Sequence, residues 1–148
     1  MHNITEIMAM LDWNKSTEIQ TKGRFLAKHS EDIEPFIQPL TPLYNKNVWE
    51  NCAIIIAEEN DEKLEPYLVE LLEWLQDMNW PGAFCILERL RQYSDVTLLH
   101  RAINICVQKA ENSNDMVWKK NLYMLRDNHK GPIKNQSGEN QLETKYSL

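Results

Sequence analysis

Apolar residues recur at helical spacing along most of the chain. The clearest case is the stretch at about 62–76. There Leu64, Tyr67, Leu68, Leu71, Leu72 and Leu75 share one side, while Glu62, Glu65, Glu73 and Gln76 fall largely opposite. Asn60 or Asp61 supplies its cap. Phe84, Leu87 and Leu90 form the stripe of the next helix, with Glu88, Arg89, Arg91 and Gln92 outward. Ser94 or Asp95 caps another, at about 95–110. It carries Val96, Leu99, Ile103, Val107 and Ala110 on one side and Leu98, Ala102 and Ile105 on a second. A helix apolar on two sides is expected to lie between neighbours, and only Thr97, Arg101, Asn104 and Gln108 form its polar stripe. A last helix, from about Asp115 to Asp127, carries Val117, Trp118, Leu122 and Leu125.

The first third is less regular. Asn3-Ile4-Thr5-Glu6 reads as a capping box ahead of Ile7, Met8 and Leu11. Ser16 caps a second helix bearing Ile19, Phe25 and Leu26, with Gly23 weakening its interior. A third segment, 31–40, is interrupted by Pro35 and Pro39 and closed by Thr41-Pro42. From Val48 the run Trp49, Cys52, Ala53, Ile54, Ile55, Ile56, Ala57 is read as a helix buried on most sides. No hairpin turn follows it, and no second strand-like run exists for it to pair with. After Asn128 the pattern stops. The expected organisation is a single domain at 1–128 followed by a disordered or loosely docked tail at 129–148.

Two segments align without a gap. Ser30-Glu31-Asp32-Ile33-Glu34-Pro35-Phe36-Ile37-Gln38-Pro39-Leu40 lies over Asp61-Glu62-Lys63-Leu64-Glu65-Pro66-Tyr67-Leu68-Val69-Glu70-Leu71, a shift of 31 residues. Tryptophans at 13, 49, 80 and 118 recur at intervals of 36, 31 and 38. A period of about 30–40 residues with two helices per unit is what stacked α-hairpins produce. The expected fold is therefore all-α: a short stack of antiparallel helical hairpins, an α-α superhelix of about seven to eight helices. An orthogonal helical bundle is the competing architecture.

The most distinctive run is Leu72-Glu73-Trp74-Leu75-Gln76-Asp77-Met78-Asn79-Trp80-Pro81. It resembles the signature of a family of small bacterial proteins, the domain of unknown function numbered 5071, over about residues 30–112. The resemblance implies a HEAT-like all-α fold and a bacterial source. It brings no assigned reaction and no catalytic residue. Small HEAT-like domains of this kind are also similar, at the level of fold alone, to the immunity proteins that neutralise bacterial toxins. Within the run, Asp77 or Asn79 is expected to cap the following helix, Pro81 to set its first turn, and Trp74 and Trp80 to pack across the corner.

Composition narrows the chemistry. A net charge of −6 argues against general nucleic-acid binding, which needs clustered Lys and Arg. The start has no basic region before an apolar run, and no uncharged apolar run approaches the roughly 18–20 residues that cross a bilayer, so a cytoplasmic protein is expected. Cys52, Cys85 and Cys106 lie far apart in apolar segments, as reduced structural cysteines do. No CxxC, HxxxH or HExxH spacing marks a metal site, and Gly82 is the only glycine between Gly23 and Gly131, too few for a phosphate-cradling loop. No metal or cofactor is expected.

The leading expectation is a non-enzymatic protein-binding module that takes another protein, a basic one being the natural complement to its acidic patches. Its candidate contact residues are Glu62, Glu65, Glu73, Arg101 and Asn104. The alternative is a small enzyme with a pocket at the Asp77/Trp80 corner, Asp77 serving as acid or base. A DNA-lesion reader would need a basic concave face and ranks last.

Overall fold

The computed structural model describes residues 2–40 and 45–129, and among these residues every regular element is helical. The expected stop at Thr41-Pro42 and the tail beyond His129 lie outside them. The elements are α1 (Ile4–Met10), α2 (Thr17–Lys28), α3 (Trp49–Ala57), α4 (Asp61–Leu64), α5 (Leu68–Leu72), α6 (Ala83–Arg91), α7 (Val96–Asn112) and α8 (Met116–Asp127). The β-branched run after Val48 is helix α3, with Trp49, Asn51, Cys52, Ala53, Ile55 and Ile56 buried.

The caps follow local chemistry. Asn3 and Glu6 form the reciprocal capping box. Ser16, Asn60, Asp95 and Asp115 each accept a backbone N–H from the first turn of α2, α4, α7 and α8. Each such cap contributes roughly 1 kcal/mol and fixes where its helix begins.

The arm expected as one helix at about 62–76 is broken. A 3₁₀ turn at Glu65–Tyr67 separates α4 from α5, and a second, Glu73–Gln76, ends the arm. Pro66 has no N–H to donate, and its ring excludes the regular i→i−4 ladder, so the chain tightens there. The aligned segment does the same: Glu34-Pro35-Phe36 is a 3₁₀ turn with proline in its first positions, and Gln38–Leu40 is another. Segment 31–40 is thus two tight turns and no α-helix. The two Glu-Pro-aromatic triplets share a conformation as well as a sequence.

Side-chain bonds show how the units stack. At the start of α3 the Glu50 carboxylate accepts from the Gly82 N–H at 3.0 Å, and near the end of α6 Arg89 donates to the Glu59 carbonyl at 2.8 Å. Helices α3 and α6 therefore lie side by side and run the same way. The next layer repeats this: Asp61 at the head of α4 meets Ser94 before α7, Cys106 donates to the Val69 carbonyl, and Lys109 pairs with Glu73. Helix α8 closes the stack. Its Trp118 Nε1 and Asn121 Nδ2 donate to the carbonyls of Leu72 (3.1 Å) and Leu75 (2.8 Å) at the end of the arm. At the other end buried Asn51 donates to Leu11 O and Gln20 Oε1 and accepts from Arg24, tying α3 to α2 and to the end of α1. With α4 and α5 counted as one arm, the described residues form seven helical arms in a stack of hairpins.

Several side chains expected in the core are outside it. Ile19 and Phe25 on α2, Phe84 on α6, Val96 and Ile105 on α7 and Val117 on α8 are exposed. In three of these helices a smaller residue takes the buried arc: Gly23 and Ala27 in α2, Ala83 in α6, Ala102 and Ala110 in α7. Hydropathy alone ranks a phenylalanine above an alanine, but axes that approach closely admit only the small residue. Gly23 is the extreme case, because a Cβ there would sit 2.7 Å from Met10 Cβ. It is a contact point between α1 and α2, and weakened helix propensity accompanies it.

The junction of the second and third units yields a pH-dependent prediction. Burial pulls the Asp61 carboxyl upward, but the Ser94 amide and the Arg89 guanidinium outweigh it and hold the group below the ordinary carboxylate range. Its folded pKa is therefore lower than its unfolded one. The stabilisation is present above about pH 4 and is lost as pH falls through the folded value. Asp61→Asn is expected to lower unfolding free energy by about 1–3 kcal/mol at pH 7, with the deficit shrinking below about pH 4. Urea unfolding of both proteins from pH 7 to pH 2 checks this, and a deficit independent of pH contradicts it.

Candidate interaction surface

Two regions bear on function: the tryptophan corner and the outer side of the α4–α5 arm. Trp49 is the hub of the first. Its ring meets Trp74 edge-on at 5.9 Å and Trp80 at 5.2 Å, while Lys46 Nζ stands 5.7 and 5.5 Å from the Trp49 and Trp80 rings. Trp74 and Trp80 therefore pack across the corner by way of Trp49, a residue of the preceding helix. Each edge-to-face pair adds roughly 0.5–1.5 kcal/mol beyond burial. Trp74 is fully buried, and its Nε1 donates to the Pro81 carbonyl at 2.9 Å.

The capping expectation for this corner needs correction. The Asp77 carboxylate accepts the Asn79 N–H at 2.8 Å, and the Asp77 carbonyl accepts the Trp80 N–H at 3.0 Å. Asp77 thus folds a local turn and does not reach the helix. Helix α6 starts later, at Ala83, with Gly82 as its N-cap, so Pro81 lies outside its first turn. Only glycine takes Gly82's left-handed φ of +86° without strain. The Gly82 amide itself is bonded to Glu50 from α3. A groove of about 330 Å³ opens beside the corner between Glu50, Asn79, Trp80, Phe84 and Cys85, and Asp77 is not among its lining residues.

The candidate contact residues divide into three groups. Glu62 and Glu65 are exposed on the outer side of the α4–α5 arm. Arg101 and Asn104 are exposed on the outward arc of the neighbouring α7, one turn apart. Glu73 is engaged inside the stack. Its carboxylate pairs with Lys109 of α7 and accepts from Gln76, and its side chain is only 13% exposed.

Sequence reasoning missed the acids that gather around Tyr67. The Tyr67 hydroxyl is pushed above its ordinary pKa by burial and then by the nearby charges of Asp32, Glu34 and Glu70. Among the described residues none of Glu34, Glu62, Glu65 and Glu70 forms an ion pair. The signal was available in the 31-residue alignment, which lays Glu34 over Glu65. That alignment reads as a repeat; in the structure Asp32, Glu34 and Glu70 act on Tyr67 while Glu62 and Glu65 are exposed on the same arm, and these acids together are termed the acidic ridge.

The remaining reactive side chains are quiet. Burial raises the thiols of Cys52 and Cys106, the latter to about 12, and Cys85 is raised by partial burial and by Glu50 and Glu58. All three cysteines are free. Held protonated, they are poor nucleophiles and poor metal ligands. His100 and His129 stack edge-on at 5.9 Å, and His129 Nε2 lies 2.7 Å from the Tyr93 carbonyl. Among the described residues no group of three or more His, Cys, Asp or Glu is placed to hold a metal ion, and no helix is long and apolar enough to cross a membrane.

The model of the family described as Domain of unknown function (DUF5071) matches residues 46–144, about two thirds of the chain, and the chain belongs to that family. The match begins at the 3₁₀ turn that leads into α3 and includes the whole corner. It starts later and runs further than the resemblance at about 30–112, leaving out the first of the two aligned segments. No curated protein and no solved structure matches the chain.

The corner carries a stability prediction. A Cβ on Gly82 would lie 2.6 Å from Ala53 Cβ and 3.0 Å from the Trp49 carbonyl oxygen, at a φ that L-residues rarely adopt. Gly82→Ala combines overpacking with backbone strain, each roughly 1–3 kcal/mol, and is expected to cost about 2–5 kcal/mol. Chemical denaturation measures it, and a loss below about 1 kcal/mol would show that α3 and α6 can separate freely.

Proposed function

We propose that this member of the DUF5071 family is a non-enzymatic protein-binding module. Its contact surface is the outer side of the α4–α5 arm with the adjoining arc of α7. One observation carries the reading: the charges of Asp32, Glu34 and Glu70 act on Tyr67, Glu62 and Glu65 are exposed on the same arm, and none of the five has an ion-pair partner among the described residues. Other acids are divided: among the described residues Glu6, Glu18, Glu31, Glu50 and Glu58 also form no ion pair, whereas others are paired. Asp61, Glu73, Glu59 and Glu111 each have a cation within 4 Å. Like charges left side by side repel and reduce stability, so a basic partner that neutralises such a row gives a reason for retaining it. The row also speeds encounter with that partner through long-range attraction.

The partner is thus a protein with a basic patch, met in the cytoplasm of a bacterium. An immunity protein that blocks a toxin is one instance of this class, and a toxin gene beside this one would support it. Arg101 and Asn104 on α7 give the surface a cation and an amide at its far side, suited to fixing register. The enzymatic alternative places its acid or base at Asp77, whose carboxylate is engaged by the Asn79 amide. That leaves the corner with fewer groups for chemistry than for packing.

The test is affinity capture from the native cell with the full chain and with its Glu62→Lys/Glu65→Lys variant. Wild type is expected to capture a basic protein that the variant loses by about tenfold or more, at an unchanged melting temperature. Since both residues are exposed and form no ion pair, reversal has little folded-state interaction to break. Equal capture by both proteins would overturn the assignment, as would a large loss of melting temperature.

A further inference from the structure

The acidic ridge runs into a groove of about 610 Å³ between α1 and the end of α2. Ile4, Ile7 and Leu26 supply an apolar wall, and the imidazoles of His2 and His29 with Ser30, Glu31 and Asp32 supply a polar rim. The two features adjoin: Asp32 lines the groove and its carboxylate accepts the Glu34 N–H at 2.9 Å, and Lys63 of α4 reaches the Ser30 carbonyl on the rim at 3.5 Å. We propose that this groove receives an apolar side chain of the partner, adjacent in the partner's sequence to the Lys or Arg residues that lie along the ridge. The inference rests on the acidic-ridge reading and adds to it the chemistry of the bound segment.

The charges around the groove specify the occupant. Glu31 is exposed and forms no ion pair among the described residues, and Glu34 opens the 3₁₀ turn that follows. Of the nearby cations, Lys63 stands 3.7 Å from Glu59 with its Nζ on the Ser30 carbonyl at 3.5 Å. Lys28 is exposed in the last turn of α2. The rim is therefore net anionic beside an apolar wall. An acidic or purely polar segment would leave the wall wet or meet like charge. A purely basic one would leave Ile4 and Leu26 in water. A segment with an aliphatic or aromatic residue flanked by cations satisfies both surfaces at once.

Two capped hexapeptides test this against the full chain by amide chemical-shift titration. One contains a leucine followed by two lysines, and the other has serine in place of that leucine. The leucine peptide is expected to bind about fivefold or more tightly, the scale of burying most of one such side chain. It should shift the amides of Ile4, Ile7, Leu26 and Glu31, whereas the serine peptide shifts chiefly Glu62, Glu65 and Tyr67. Leu26→Ala should remove the leucine advantage and leave the affinity for the serine peptide unchanged. Glu31→Lys, at an exposed position with no ion pair at stake, should weaken both peptides. Equal affinities with shifts confined to the ridge would overturn the groove assignment and leave the acidic-ridge reading standing. Absence of binding by either peptide would overturn both.

Discussion

The approach of α3 to α6 fixes the rest of the stack, and it depends on the missing side chain at Gly82. With no Cβ there, the α6 N-terminus sits against Ala53 and the Trp49 carbonyl, and its left-handed φ turns the chain from the corner into the helix. Trp49 can then receive the edges of both Trp74 and Trp80, and Glu50 reaches the Gly82 amide. A small difference in this spacing would propagate. Arg89 meets both Glu59 and Asp61 at the other end of the same helix pair, and Asp61 in turn holds the head of α7 through Ser94.

Polar side chains do much of the joining between units, and they do it by completing the open ends of helices. Trp118 and Asn121 satisfy carbonyls at the end of the α4–α5 arm, Arg89 satisfies Glu59, and buried Asn51 satisfies Leu11. Helix ends are the places where backbone groups lack partners, so a stack of short helices offers many such sites. An unsatisfied buried carbonyl costs roughly 1–3 kcal/mol, and this asymmetry makes each tie specific for its register. The apolar core drives the helices together, and these bonds determine which turn lies against which.

The helical class, the cap residues and the repeat were legible in the sequence because they are local. Asn3, Ser16, Asn60, Asp95 and Asp115 act within their own first turns, and the two Glu-Pro-aromatic triplets match in sequence, although the 3₁₀ turn that breaks the arm at 62–76 was not expected. What depended on a neighbour was not legible. Phe84 and Phe25 are as apolar as any core residue, yet the close faces of α6 and α2 accept Ala83, Ala27 and Gly23 instead. Asp77 and Asn79 have capping chemistry, but Glu50 from α3 holds the Gly82 amide beside the helix start. The candidate surface divided along the same line. The exposure of Glu62 and Glu65 follows from their own helix period, while the pairing of Glu73 required Lys109 from the next unit.

The run that identifies the family and the surface assigned to binding are thus different parts of one arm, and the arm connects them physically. Its end is buried under Trp49 and α8, where Trp74, Leu75 and Gly82 leave little freedom. Its start carries Glu62, Glu65 and Tyr67 outward. Anchoring one end of a short, interrupted helix holds the charges at the other end in place before a partner arrives. The backbone that carries them is then ordered by folding, and only their side-chain freedom is left to lose to the proposed partner. Pro66 contributes to this, since a proline inside the 3₁₀ turn restricts the backbone between Glu65 and Tyr67. These carboxylates have no ion pair among the described residues, so the proposed basic partner would supply the counter-charge that the fold does not.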